Sequence, residues 1–144
     1  MKFIVVRLLQ AVILLTPCAL GYASPDPIKV VVIGDRTGGY RPGVFEATID
    51  AVNSEAPDLV LSVGDLIEGY VNDRALINAQ WQEVDRQLRR IDAPLFVTPG
   101  NHDISNALMH EIWLERYGHT YFSKRIGRLH LLVMSTEDPP IHLS

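Results

Sequence analysis

Short, unbroken apolar runs alternate along this chain with longer stretches of helical period. Ile28 to Ile33 is apolar apart from Lys29 and rich in β-branched residues, and Leu59 to Val63 and Pro94 to Thr98 have the same character. Runs of this length bounded by glycine and proline predict buried strands. Between them the period changes. After Pro42, a residue suited to the first turn of a helix, Phe45, Ile49 and Val52 recur on one face while Glu46 and Asp50 face out. Ala56-Pro57-Asp58 ends that helix. The clearest helix runs from Arg74 to Arg90. Ile77, Trp81, Val84, Leu88 and Ile91 form one stripe, and Arg89 and Arg90 complement the dipole at its end. A third helix, capped by Ser105, is expected to reach Tyr117, and Tyr121–Ile126 with Leu129–Ser135 to form a hairpin about Gly127.

Strands separated by helices imply right-handed crossovers and a mostly parallel sheet, so the fold class is α/β with a C-terminal hairpin. Ligands in such sheets bind beyond the carboxyl ends of the strands. Three short motifs stand at that edge: Gly34-Asp35-Arg36-Thr37-Gly38-Gly39, Gly64-Asp65-Leu66-Ile67-Glu68 and Gly100-Asn101-His102-Asp103. Two carboxylates side by side repel unless a cation or a proton separates them. A divalent metal pair resolves the conflict, since one carboxylate can bridge both ions. Asn101 offers a neutral carbonyl oxygen. His102 offers a proton donor or a phosphate contact, with Glu68 or Asp103 as the acid that would orient its ring. Arg36 would reach a phosphate or pair with a nearby acid. Each motif also has a plainer reading. Gly-Asp after a strand serves as turn chemistry, and Asn-His-Asp serves as a capping loop.

Taken together, the three motifs resemble those of the calcineurin-like metallophosphoesterases. Asp35 and Asp65 lie 30 residues apart, and Asp65 and Asn101 lie 36 apart, as suits that family. The closing stretch from Tyr117 to Glu137 fits as well. The resemblance covers Ile28 to Asp138 and implies part of a layered α/β/β/α sandwich. It implies that Asp35 binds a first metal, that Asp65 bridges two, and that Asn101 binds the second. His102 would be the acid or phosphate-positioning group, and Glu68 would align with an acidic partner of that histidine. The implied cofactors are two divalent ions (Mn, Fe or Zn) and the implied substrates are phosphate mono- or diesters.

Two departures from the family pattern shape the expectation. Thr37 stands where the family usually places a histidine, and a hydroxyl favours harder ions such as manganese or magnesium. The family's later histidine motifs do not occur in this sequence. His119 reads as a loop histidine between helix and hairpin, and His110, His130 and His142 read as packing or surface residues. The expectation is therefore the N-terminal part of a truncated phosphoesterase domain, with one apolar sheet face left open and weak or no activity by itself. The alternative is a non-catalytic binding domain on a degenerate phosphoesterase scaffold.

Composition narrows the setting. At 144 residues the chain holds one ordinary domain. Residues 1–23 carry Lys2 and Arg7, then an apolar stretch from Leu8 to Leu15, and end in small residues with Ala23. This is the pattern of a cleaved signal peptide, too short in its apolar core for the ~20 residues of a membrane span. Export to the periplasm or beyond the cell is expected, leaving residues 24–144 as the domain. Cys18 is the one cysteine and falls inside that segment, so metal ligands elsewhere must be oxygen or imidazole. Loss of Lys2 and Arg7 moves the formal net charge from −4 to −6, which gives no nucleic-acid-binding signature. Nothing beyond the signal segment suggests a membrane, and oligomeric state is not encoded in any recognisable pattern.

Overall fold

The computed structural model describes residues 26–137. The expected signal segment with Cys18, and the tail with His142, lie outside the described residues. Eight elements follow in order: β1 (Val30–Ile33), α1 (Val44–Ser54), β2 (Leu59–Ser62), α2 (Arg74–Leu88), β3 (Leu95–Val97), α3 (Ala107–Tyr117), β4 (Phe122–Ile126) and β5 (Leu129–Val133). The first three strands form a parallel sheet in the order β1-β2-β3, and β4 and β5 form a separate antiparallel pair. The α/β class, the parallel sheet and the terminal hairpin are those the sequence predicts, and they fit part of the layered sandwich that the resemblance implies.

One face of the sheet packs into the main core. Val31, Ile33, Val60, Leu95 and Val97 belong to or pack against the core formed with Phe45, Ile49, Val52, Ile77, Trp81 and Trp113. The alternate positions point the other way: Val32 lies beside Leu61, and Leu61 beside Phe96. Val32 is 57% exposed, so the apolar run of β1 is not buried on both faces. On the covered side α2 and α3 are joined by aromatic contact. Trp81 and Trp113 are fully buried with ring centroids 5.7 Å apart, and Tyr117 packs on both at 5.3 and 4.7 Å. Truncating either tryptophan to alanine would cost about 3–5 kcal/mol.

Helix starts show how local chemistry is overridden by tertiary need. Asp73 caps α2, accepting from the backbone N–H groups of Ala75 (2.8 Å) and Leu76 (3.1 Å). The helix after Pro42 begins at Val44, behind Gly43 rather than at the proline. Asn106, not Ser105, caps α3: its side-chain oxygen accepts from Met109 N–H at 3.0 Å. Ser105 is taken by another partner, accepting from Tyr70 N–H at 3.1 Å. The Asn106 amide also donates to the Val71 carbonyl at 3.0 Å, which ties the start of α3 to the loop following the second motif.

Candidate active site

The three motif loops meet at the carboxyl edge of the parallel sheet. Asp35 and Asp65 leave their strands in the same way, with φ of 58° and 55°. This left-handed conformation costs an ordinary residue about 1–2 kcal/mol, and aspartate tolerates it better than most. The loops are then laced together by main-chain bonds. Asp35 N–H donates to the Gly64 carbonyl at 3.0 Å, and the N–H groups of Arg36 and Thr37 donate to the Asp65 carbonyl at 2.9 and 3.2 Å. The third loop closes on the second where two glycines touch: a Cβ on Gly64 would lie 2.0 Å from Gly100 N. A Cβ on Gly100 would lie 2.2 Å from Asp65 Oδ1, which itself accepts from His102 N–H at 3.0 Å.

Asp103 holds this junction from beneath. It is fully buried, and its carboxylate accepts four backbone N–H groups: Asp65 (2.8 Å), Leu66 (2.9 Å), Ile67 (3.2 Å) and Gly100 (2.9 Å). Burial pushes its carboxyl pKa upward, and the four amides oppose that shift without reversing it. The sequence expectation of a carboxylate orienting His102 is corrected here. Asp103 is spent on the main chain, and the ring is held by the carbonyl oxygen of Glu68, 2.8 Å from Nδ1, not by the Glu68 carboxylate. A carbonyl only accepts, so Nδ1 carries the proton and Nε2 is left for other chemistry.

Arg36 takes the second of its two expected roles. Its guanidinium donates to the Leu66 carbonyl at 3.1 Å, pairs with Glu83 on α2, and lies over the Tyr40 and Phe45 rings at 4.7 and 5.6 Å. In this arrangement it is a clamp between loops rather than a free phosphate contact. Asn101 is exposed, and its Nδ2 donates to the Tyr70 hydroxyl at 2.7 Å. Tyr70 also meets the His102 ring edge-on at 4.9 Å. Neither Tyr70 nor the main-chain role of Asp103 was visible in the sequence pattern. The left-handed Gly69-Tyr70 pair that places the tyrosine follows no apolar period.

Two open pockets flank the junction. One, about 530 Å³, runs from Asp35, Arg36 and Thr37 to Val44 and Thr48 of α1. The other, about 480 Å³, lies between Tyr70, Asn101, Ile104 and His110. His110 thus borders the site, whereas His119 stacks on Tyr121 and His130 lies on β5 near Ser123. The Thr37 hydroxyl is buried without a hydrogen-bond partner. That orphaned oxygen, with the carboxylates of Asp35 and Asp65 and the amide oxygen of Asn101, fits a hard divalent ion in donor chemistry. In number the set falls short. Among the described residues no group of three or more His, Cys, Asp or Glu side chains is placed to hold a metal.

Comparison with known proteins decides the family. A family model for calcineurin-like phosphoesterases matches residues 28–138. The chain belongs to the calcineurin-like phosphoesterase family. Among curated proteins it is similar to the mouse (Mus musculus) serine/threonine-protein phosphatase CPPED1, 30% identical over 116 residues, covering 72% of this chain and 35% of that protein. The chain therefore spans about a third of the length of the relative it matches. Calcineurin-like phosphoesterases act on phosphate esters and generally use divalent metals. No helix among the described residues is long and apolar enough to cross a membrane.

Proposed function

We propose that this chain carries the first half of a two-metal phosphoesterase site, with Asp35, Asp65 and Asn101 as ligands. Its reaction is the hydrolysis of phosphate mono- or diesters by the intact domain, and the chain by itself is weak or inactive. The observation that supports this reading best is the junction itself. Main-chain bonds and two touching glycines bring oxygen donors from three strand ends to one edge. Divalent ions (Mn, Fe or Zn), when bound, supply charge to polarise a phosphate oxygen and to activate water. The protein's own part is positional. Asp65 is fixed by the His102 amide, so its carboxylate is ordered before any ligand arrives. With Nδ1–H held by the Glu68 carbonyl, His102 in its doubly protonated imidazolium form can give the Nε2 proton to a leaving oxygen and return to the neutral Nδ1–H tautomer, already oriented. Glu68 contributes to catalysis through its main chain. Arg36 acts on the substrate side by keeping the first loop in register. Export is part of the proposal and rests on the residue pattern of segment 1–23.

A second reading, a non-catalytic binding domain, is favoured by the short count of ligands and by Thr37 at a histidine position. Calorimetric titration of the full chain with manganese separates the two. The first reading expects a stoichiometric site that Asp65→Asn abolishes, with slow manganese-dependent hydrolysis of an aryl phosphate at most. Absence of a stoichiometric site for manganese, iron or zinc would overturn it and leave the binding domain.

A further inference from the structure

Helix α1 begins without a cap. Its N-cap residue is Gly43, and no side chain accepts a hydrogen bond there. Among the described residues the N–H groups of Phe45 and Glu46 find no main-chain acceptor. Glu46, the acid of that first turn, is engaged elsewhere: its Oε1 accepts from Gln87 Nε2 on α2 at 3.0 Å. The positive end of the helix is therefore open. By itself that is no more than a place for water.

A second observation stands in the pocket beside it. This pocket, about 530 Å³, extends from Thr37, Gly38 and Gly39 to Val44 in the first turn of α1. Thr37 is 6% exposed, and the surface it keeps opens on the pocket it lines. Its N–H is spent on the Asp65 carbonyl, which fixes the residue at the wall. Its Oγ1 is buried and has no hydrogen-bond partner. Buried hydroxyls are nearly always paired, so one left single at a pocket wall marks the place of a ligand atom.

Charge says which atom. A hydroxyl proton, first-turn amides and the positive end of a helix all favour a negatively charged oxygen. Arg41, exposed on the same pocket, adds a cation. Arg36 adds none, because the Leu66 carbonyl and Glu83 already hold its guanidinium. Asp35 borders the strand end of the pocket and repels an anion, which leaves the helix end for the ligand. Three kinds of donor around one pocket suit an anion with three free oxygens better than a two-oxygen carboxylate. We propose that Thr37, the first turn of α1 and Arg41 form a phosphate-binding site that needs no metal. Its ligand is a phosphate group, free or carried by a small ester. The site stands apart from the metal-site reading above and does not rest on it.

The test is a titration of the full chain with sodium phosphate in EDTA at constant ionic strength, followed by nitrogen–proton NMR. Saturable shifts are expected at the amides of Gly38, Gly39, Phe45 and Glu46. Shifts confined to other amides, such as those of the exposed Lys124 and Arg125, or no saturation at all, would overturn the proposal. Thr37→Val keeps the shape of the side chain and removes the hydroxyl. It should weaken phosphate binding about tenfold, the worth of a hydrogen bond to a charged group. Without phosphate its melting temperature should be unchanged or higher, because an unpaired buried hydroxyl is gone. Unchanged phosphate affinity, or a lower melting temperature that reveals a partner already present, would count against the site. Arg41→Gln changes an exposed residue and leaves the fold intact, so a weakening of about threefold that fades in high salt is expected, and no weakening would remove Arg41 from the site. Asp35→Asn should strengthen phosphate binding in EDTA, whereas the metal reading expects it to weaken manganese binding. Phosphate binding without any manganese site would therefore leave this proposal standing and the metal reading fallen, and the reverse result would do the opposite. Phenyl phosphate in place of inorganic phosphate identifies the source: tighter binding assigns an ester, and equal binding assigns the free anion.

Discussion

Asp103 accepts a hydrogen bond from the main-chain N–H of Asp65 at 2.8 Å, across 38 residues of sequence. The same carboxylate takes the amides of Leu66, Ile67 and Gly100, so one buried side chain fixes the turn that carries Asp65 and the turn that carries Asn101. The positions of two candidate ligands thus depend on a residue that is itself no ligand. Asp103→Ala leaves four amide donors without their acceptor. Each unsatisfied buried donor costs about 1–3 kcal/mol, and water entering the space recovers part of the sum. The expected loss is about 4 kcal/mol, at the upper end of single substitutions. It is measured by urea denaturation. A loss under about 1 kcal/mol would mean that the loops hold their shape without Asp103.

Gly100→Ala tests the contact between the second and third loops directly. The added methyl would sit 2.2 Å from Asp65 Oδ1 and 2.7 Å from Asp65 N, so the turn must move. Overpacking of this kind costs about 1–3 kcal/mol. More telling is the displacement of the Asp65 carboxylate, which predicts loss of manganese affinity beyond what the fall in stability explains. Calorimetry at a temperature where the variant is fully folded makes the comparison. Wild-type affinity in a folded Gly100→Ala chain would show that Asp65 is not a ligand.

Arg36→Lys distinguishes a clamp from a phosphate contact. Lysine keeps the charge but loses the fork that reaches the Leu66 carbonyl and Glu83 together. The Arg36 side chain is 8% exposed while Glu83 is 47% exposed, so the pair is half-screened. A loss of about 2 kcal/mol is expected, below the 3–5 of a fully buried pair. It should appear in the denaturation midpoint. A variant with the wild-type midpoint but weakened phosphate binding would restore the substrate role read from the sequence.

What the sequence revealed, and what it hid, divides along the range of the interactions. The stripe of Ile77, Trp81, Val84 and Leu88 is a local periodicity, and all four residues are buried on α2. Gly-Asp after a short apolar run is likewise local, and both Asp35 and Asp65 adopt the left-handed turn such pairs favour. The cap of α3 differs from the expected one because Ser105 and Asn106 are both good caps, and the choice falls to a bond with Tyr70, 35 residues away. The motif predicts an acid as the partner of His102, whereas the structure uses a main-chain carbonyl that every residue possesses. Residue type carries no signal for such a bond. The depth of Asp103 was hidden for the same reason, since its partners are all amides.

Tyr117 offers a test of the α2–α3 contact through pH. Its hydroxyl donates to Asp85 Oδ1 at 2.7 Å, and Arg116 pairs with the other oxygen of that carboxylate. Burial first, and then the bond to Asp85, push the phenol pKa well above its ordinary value of 10.0. Above pH 10 the unfolded chain therefore releases this proton while the folded chain retains it. Stability is fully present below the unfolded value and falls as pH rises toward the folded one, by at most about 1.4 kcal/mol per pH unit for one proton. Tyr117→Phe should flatten that decline in urea melts taken from pH 9 to 11, and the absorbance titration of the wild type should show one phenol ionising late. Asp85→Asn should bring that phenol back toward 10, because the bond and the negative charge both favour the protonated form. An equally steep alkaline decline in Tyr117→Phe would assign the effect to another group and remove Tyr117 from the account of how α3 is held to α2.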